Sequence, residues 1–83
     1  MDIEARRKRL LWRATHRGLK EMDVLLGGFA KAEISAMSAN ELDQLEAIVG
    51  LADQDLLAWA MKQAPVPPQM SSPMLERLLA YRP

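Results

Sequence analysis

The residues best suited to specific polar chemistry lie together in the stretch from His16 to Asp23. One helical pattern ends there and the next begins, and Gly18 is typical of a helix C-cap, where glycine adopts a left-handed φ at little cost. Arg17 and Glu21 place both charge signs around this bare position. Another backbone could therefore approach closely while the charged groups form directional hydrogen bonds. The alternative is an ordinary capped turn with an Arg17–Glu21 ion pair, worth only about 0.3–0.5 kcal/mol.

Groups that could catalyse a reaction are scarce in this chain. His16 is the single histidine, and its neighbour Thr15 points about 100° away around a helix. There is no cysteine, so thiolate chemistry, disulfides and an ordinary zinc site are excluded. The pair Gly27-Gly28 lacks the spacing of a phosphate-binding loop or a dinucleotide fingerprint. We therefore expect no enzyme activity, no catalytic residue, no metal ligand and no cofactor-binding residue.

Size and composition favour a binding module over an enzyme. With 83 residues, 49% of them hydrophobic, residues 1–83 should form a single domain with one core. A deep substrate pocket would have to be cut from that core. No apolar run approaches the 18 residues that a membrane span needs, and the basic start lacks the apolar segment of a secretory signal. We expect a protein without a membrane span, located in the cytoplasm and monomeric when free.

Charge is distributed unevenly although the net charge is zero. Residues 1–20 hold seven Lys and Arg against two acidic residues, a balance of +5, whereas residues 21–63 hold two against eight, a balance of −6. Such a dipole steers docking onto a charged partner. A helix–turn–helix nucleic-acid binder remains a weaker alternative. Its recognition helix would be residues 19–33, whose Glu21, Asp23 and Glu33 would repel phosphate.

Apolar periodicity predicts five short helices and an all-α fold, a small antiparallel bundle. The first helix should cover about 3–16, and the second 19–33, with a kink or break at Gly27-Gly28. Ser38 and Glu41 form a capping box before the third helix, which Gly50 closes. The remaining predictions are Asp53 as N-cap of a fourth helix with Met61 inward, a Pro-rich connector at 64–71, and a last helix at about 72–81 that begins with Ser72 and Pro73.

Trp12 lies about half a turn from the apolar stripe of the first helix. It could pack beneath the C-terminal segment, or it could be offered to a partner. Packing is the interpretation we favour, because an exposed Trp lowers solubility.

Several motifs occur together in a fixed order over about residues 3–62. An Arg-rich helix with a Trp precedes an R-G-x-x-E motif, and a Ser-x-x-Glu helix and a D-x-D-L-x-x-W motif follow. In this order the chain resembles the succinate dehydrogenase assembly factors, the SdhE-type flavinylation factors. The matching positions are Arg17, Gly18, Glu21 and Asp23, then Asp53, Asp55, Leu56 and Trp59.

The resemblance implies a helical assembly factor that binds the flavoprotein subunit of succinate dehydrogenase, and in some cases that of fumarate reductase. It implies covalent attachment of FAD to a histidine of that client, with no cofactor held tightly by the factor itself. Arg17, Gly18 and Glu21 would touch the client near its flavin site, and we add Asp23 and His16 to this candidate partner-binding set. An interaction module for a different partner remains the alternative.

Overall fold

Five apolar patterns in the sequence become five α-helices. The computed structural model describes residues 2–83, and no β-strand occurs in that range. The all-α fold predicted from periodicity is therefore confirmed. The α-helices are α1 (Ile3–Thr15), α2 (Lys20–Glu33), α3 (Ala39–Val49), α4 (Asp53–Ala60) and α5 (Pro73–Ala80). Short 3-10 helices follow α2 at Ile34–Ala36 and precede α5 at Pro68–Met70.

The core is built around α2, which contacts α1, α4 and α5, while α3 packs on α1 and α5. Each helix has only 8 to 14 residues, a length that is marginal in isolation, so packing has to stabilise it. Burial of each large apolar side chain contributes roughly 1.5–3 kcal/mol. The largest side chains that are almost fully buried are Met22, Leu26, Met37, Leu42, Leu45, Leu56, Met74, Leu75 and Leu78.

Side-chain caps begin two of the helices as predicted. At α3 the Glu41 amide donates to Ser38 Oγ over 3.2 Å, and the Ser38 amide donates to Glu41 Oε1 over 2.9 Å. The Ser38 amide, followed by the guanidinium of Arg77, holds the pKa of the Glu41 carboxyl below its ordinary value. At α5 the Leu75 amide donates to Ser72 Oγ over 3.1 Å, with Pro73 in the first turn.

The predicted N-cap of α4 is wrong, the predicted closure of α3 by Gly50 is confirmed, and the predicted inward position of Met61 is wrong. Asp53 is not the N-cap of α4; that position belongs to Ala52, and the Asp53 carboxylate has a different partner, described below. Gly50 does close α3, but its φ of −83° is right-handed, so the end needs no left-handed residue. Met61 was predicted to face inward and is 61% exposed, because α4 ends at Ala60 and the chain turns away.

The Gly27-Gly28 pair does not interrupt α2, which runs from Lys20 to Glu33. The predicted interruption is therefore wrong: α2 is continuous through both glycines, and each of them packs closely against another part of the fold. A Cβ at Gly27 would lie 3.1 Å from Thr15 Cγ2 and 3.3 Å from the Ala14 carbonyl oxygen, so α1 crosses α2 at very short distance. A Cβ at Gly28 would lie 3.1 Å from the Tyr81 hydroxyl.

Part of the positive charge of α1 is used inside the fold. Arg6 forms ion pairs with Asp43 at 2.5 Å and Glu46 at 2.9 Å, which ties α1 to α3. Arg7 donates to the carbonyl oxygens of Ile34 at 3.1 Å and Met37 at 2.7 Å. Within residues 2–83, no helix has the length and hydrophobicity to cross a lipid bilayer.

We expect Gly27→Leu to destabilise the fold by about 1–3 kcal/mol, because the new side chain has to push α1 away from α2. Urea denaturation followed by circular dichroism measures the change. Ala32→Leu, at an exposed position of the same helix, is the matched control and should shift stability by less than about 0.5 kcal/mol. Equal effects of the two variants would show that the close crossing does not constrain position 27.

Candidate functional site

The connection between α1 and α2 carries the predicted site. Residue His16 caps α1, and Gly18 follows two residues later with a φ of +84°. The left-handed glycine predicted here is confirmed, although it lies in the turn beyond the cap. A Cβ built at Gly18 meets no atom within 4 Å, so the turn presents open backbone to its surroundings.

Arg17 anchors this turn to the connection between α3 and α4. Its Nε donates to Asp53 Oδ1 over 2.8 Å, and its Nη atoms donate to the carbonyl oxygens of Val49 at 2.5 Å and Leu51 at 2.8 Å. The Arg17 side chain is only 10% exposed and that of Asp53 22%. Val49 is the last residue of α3, where unpaired carbonyls favour a cation. The Arg17–Glu21 ion pair considered from the sequence does not form.

Asp23 holds the same turn from the α2 side. Its Oδ1 accepts a hydrogen bond from the Arg17 amide over 2.7 Å, and its side chain is half-buried. The backbone and side chain of Arg17 are therefore fixed by two different carboxylates. These contacts leave the turn little conformational freedom before any partner arrives.

His16 lies on the outer side of the junction and stacks on Trp12. The two rings are nearly parallel, with centroids 4.3 Å apart and an interplanar angle of 13°. His16 Nδ1 lies 2.8 Å from the Trp12 carbonyl oxygen, which fixes the imidazole orientation. Trp12 itself is 61% exposed, so the prediction that it packs inside the fold is wrong.

Glu21 is exposed on the first turn of α2, at the edge of an apolar groove. It forms no hydrogen bond or ion pair with another residue of the 2–83 range. The groove has a volume of about 510 Å³ and lies between α2, α4 and the C-terminal segment. Its apolar walls include Val24, Leu57, Met61 and Leu79.

The five predicted site residues thus separate into two groups. His16, Gly18 and Glu21 are exposed around one turn, whereas Arg17 and Asp23 are turned into the fold. Contact of any of them with a client stays a prediction. Sequence reasoning missed Asp53 as the partner of Arg17, because the two are 36 residues apart and an acidic residue at a helix start already has an explanation as a cap.

Thr15 and His16 were predicted to point apart, but Thr15 Oγ1 lies 3.0 Å from His16 Nδ1. The Thr15 hydroxyl also donates to the Leu11 carbonyl oxygen over 2.8 Å. No group of three or more His, Cys, Asp or Glu residues that could hold a metal is present between residues 2 and 83. The described part of the chain instead offers a rigid turn with open backbone, an exposed carboxylate and a neighbouring apolar groove. The fold is that of a small all-α domain, and its exposed interhelical turn is a candidate binding surface.

Comparison with known proteins is specific. The sequence pattern of the family described as flavinator of succinate dehydrogenase matches residues 8–82. The chain is 41% identical over 78 residues to the FAD assembly factor SdhE of Acetobacter pasteurianus. This match covers 94% of this chain and 72% of that protein. The chain therefore belongs to the family of succinate dehydrogenase flavinators.

Two mitochondrial relatives are both named succinate dehydrogenase assembly factor 2. The protein of Dictyostelium discoideum is 33% identical over 75 residues, which cover 90% of this chain and 53% of the relative. The protein of Candida glabrata is 35% identical over 81 residues, which cover 93% of this chain and 53% of that relative. The chain thus spans about half the length of these mitochondrial relatives.

We expect Asp53→Asn to destabilise the protein by about 1–3 kcal/mol, because it removes the charged acceptor of a guanidinium that stays largely buried. Asp55→Asn is the matched control: it alters an exposed carboxylate in the same helical turn and should change stability by less than about 0.5 kcal/mol. Denaturant titration of both variants, and of each combined with Arg17→Met, measures the coupling. Additive losses for Arg17 and Asp53 would contradict the anchoring contact.

Proposed function

We propose that this chain binds the flavoprotein subunit of succinate dehydrogenase and promotes covalent attachment of FAD to it, without a catalytic group of its own. Membership of the flavinator family and the names of its relatives support this proposal. The structural observation that carries it is Gly18, whose backbone is left open. Four hydrogen bonds of Arg17, to two carboxylates and two carbonyl oxygens, hold the turn rigid.

A rigid turn is suited to docking because it loses its conformational entropy when the factor folds. Little further entropy is then lost when the client binds. Gly18 lets a client backbone approach, and Glu21 accepts hydrogen bonds beside an apolar surface. Exclusion of water along that surface strengthens a charged hydrogen bond relative to an exposed one. Arg17 and Asp23 serve the same surface indirectly, by fixing the position of the turn.

The mechanism follows from the thermodynamics of binding. A factor that binds one arrangement of the client more tightly than another raises the population of the favoured arrangement, by no more than the ratio of its two affinities. The favoured arrangement brings the flavin and its acceptor histidine together on the client. FAD is then held by the client, and the factor needs no cofactor site.

Three further parts of the proposal are separately testable. The free factor is a monomer, it acts in the cytoplasm, and the flavoprotein subunit of fumarate reductase is a second client. The nucleic-acid alternative has no support in the fold, since α2, its recognition helix, is the helix most involved in core packing.

Gly18→Arg should sharply reduce covalent flavin on the client while the factor stays folded. The new side chain projects into open space and clashes with a docked client, whereas the backbone strain of a left-handed non-glycine costs only about 1–2 kcal/mol. Flavin fluorescence of the denatured client band measures attachment, and circular dichroism measures folding.

Gly18→Ala is the matched control, because it has the same backbone strain but adds a single methyl group. We expect it to retain most of the flavin attachment. Equal loss in Gly18→Ala and Gly18→Arg would assign the effect to strain in the turn. Normal attachment with Gly18→Arg would contradict the proposal.

Glu21→Gln should weaken client binding by about 10-fold, the order expected when a charged hydrogen bond of about 1.4 kcal/mol is lost. Its stability should change by less than about 0.5 kcal/mol, since Glu21 has no partner within residues 2–83. Isothermal titration calorimetry with the purified client measures affinity. Glu76→Gln, at an exposed position in the first turn of α5, is the control and should bind as the original chain does.

A further inference from the structure

Trp12 is the largest apolar side chain that the fold leaves exposed, and it stacks on a neighbouring ring. It is 61% exposed, stacks on His16 at 4.3 Å, and projects from the face of α1 opposite the buried Leu10 and Ala14. A stacked indole has already lost much of its side-chain entropy, so burial against a partner would order little more. Rigid exposed Trp residues are typical anchors of protein interfaces.

We propose that the Trp12–His16 stack is a second anchor for the flavoprotein client, which receives the indole in an apolar recess with acidic residues at its rim. The inference rests on the proposed function, because His16 directly precedes Arg17 and so joins the stack to the docking turn. The partner-binding residues predicted from the sequence did not include Trp12.

The charge around Trp12 defines the chemistry of this recess. Lys8 lies one helical turn before Trp12 on the same face, and Arg13 is the next residue, about 100° around the helix. Both are exposed, and neither forms an ion pair within residues 2–83. By contrast, Arg6 and Arg7 on the inner side of α1 are held by contacts within the fold. The cations beside the indole are thus available to a partner with carboxylates around its pocket.

The same charges disfavour a second copy of this chain as the occupant. Two indoles that met across a symmetric contact would bring Lys8 and Arg13 of both copies together, and like charges repel. A lipid surface is also a poor fit, since a membrane-surface helix needs a continuous apolar face and this face of α1 has one large apolar side chain.

Fluorine NMR on the full chain tests whether a client buries Trp12. The protein has two tryptophans, so 5-fluorotryptophan gives two resonances, which the Trp12→Phe variant assigns. Free in solution, the Trp12 resonance should shift between H₂O and D₂O, whereas that of Trp59, 8% exposed, should shift little. On addition of unlabelled client, the Trp12 isotope shift should be lost. A shift that persists in the complex, or is lost on raising the factor concentration alone, overturns the proposal.

Affinity measurements separate this inference from the proposed function. Trp12→Ala should weaken client binding by roughly 30-fold or more, as for other central tryptophans. Ile3→Ala removes a partly exposed apolar side chain from the distant end of α1 and should leave binding unchanged. Combined charge reversal, Lys8→Glu with Arg13→Glu, should slow association at low salt.

The outcomes are distinct. If Gly18→Arg abolishes binding and Trp12→Ala does not weaken it, the second anchor is refuted while the proposed function stands. If neither variant affects binding, both proposals are refuted. An association rate that the charge reversal leaves unchanged would refute the proposal that acidic residues line the rim of the recess.

Discussion

The guanidinium of Arg17 is the contact on which the rest of the candidate site depends. It bridges the α1–α2 turn to the end of α3 and the start of α4, through Asp53 and the carbonyl oxygens of Val49 and Leu51. One side chain thus holds the α1–α2 turn against the α3–α4 connection, which is adjacent in space but distant in the sequence. Because the Arg17 guanidinium donates to Asp53, Val49 and Leu51 inside the molecule, the outer side of the turn is left to Gly18.

This arrangement assigns separate tasks to residues that are neighbours in the chain. Arg17 and Asp23 fix the position of the turn through contacts inside the molecule. Gly18 and Glu21 are exposed to solvent at and beside the turn. Under the proposed function, this turn is a bare docking point that is rigid before the client arrives. Binding energy is then available to distinguish two arrangements of the client rather than to order the factor.

Local signals predicted much of the fold and less of the site. The capping box at Ser38 and Glu41, the start of α5 at Ser72 and the left-handed Gly18 each follow from a few adjacent residues, and all are present. The errors occur at residues whose conformation or partner is determined by contacts with residues distant in the sequence. Gly27-Gly28 stays helical because α1 packs directly over it, and Asp53 pairs with Arg17 instead of capping α4. Trp12 lies outside the core, although packing was the interpretation favoured from the sequence.

Hydrogen–deuterium exchange of the factor, free and in complex with the flavoprotein subunit, tests the central claim most directly. The account predicts slower exchange of the amides of residues 16–24 in the complex, while the connector at 64–71 exchanges as in the free factor. A stable complex in which residues 16–24 exchange at their free rates would contradict the account, because the client would then dock elsewhere.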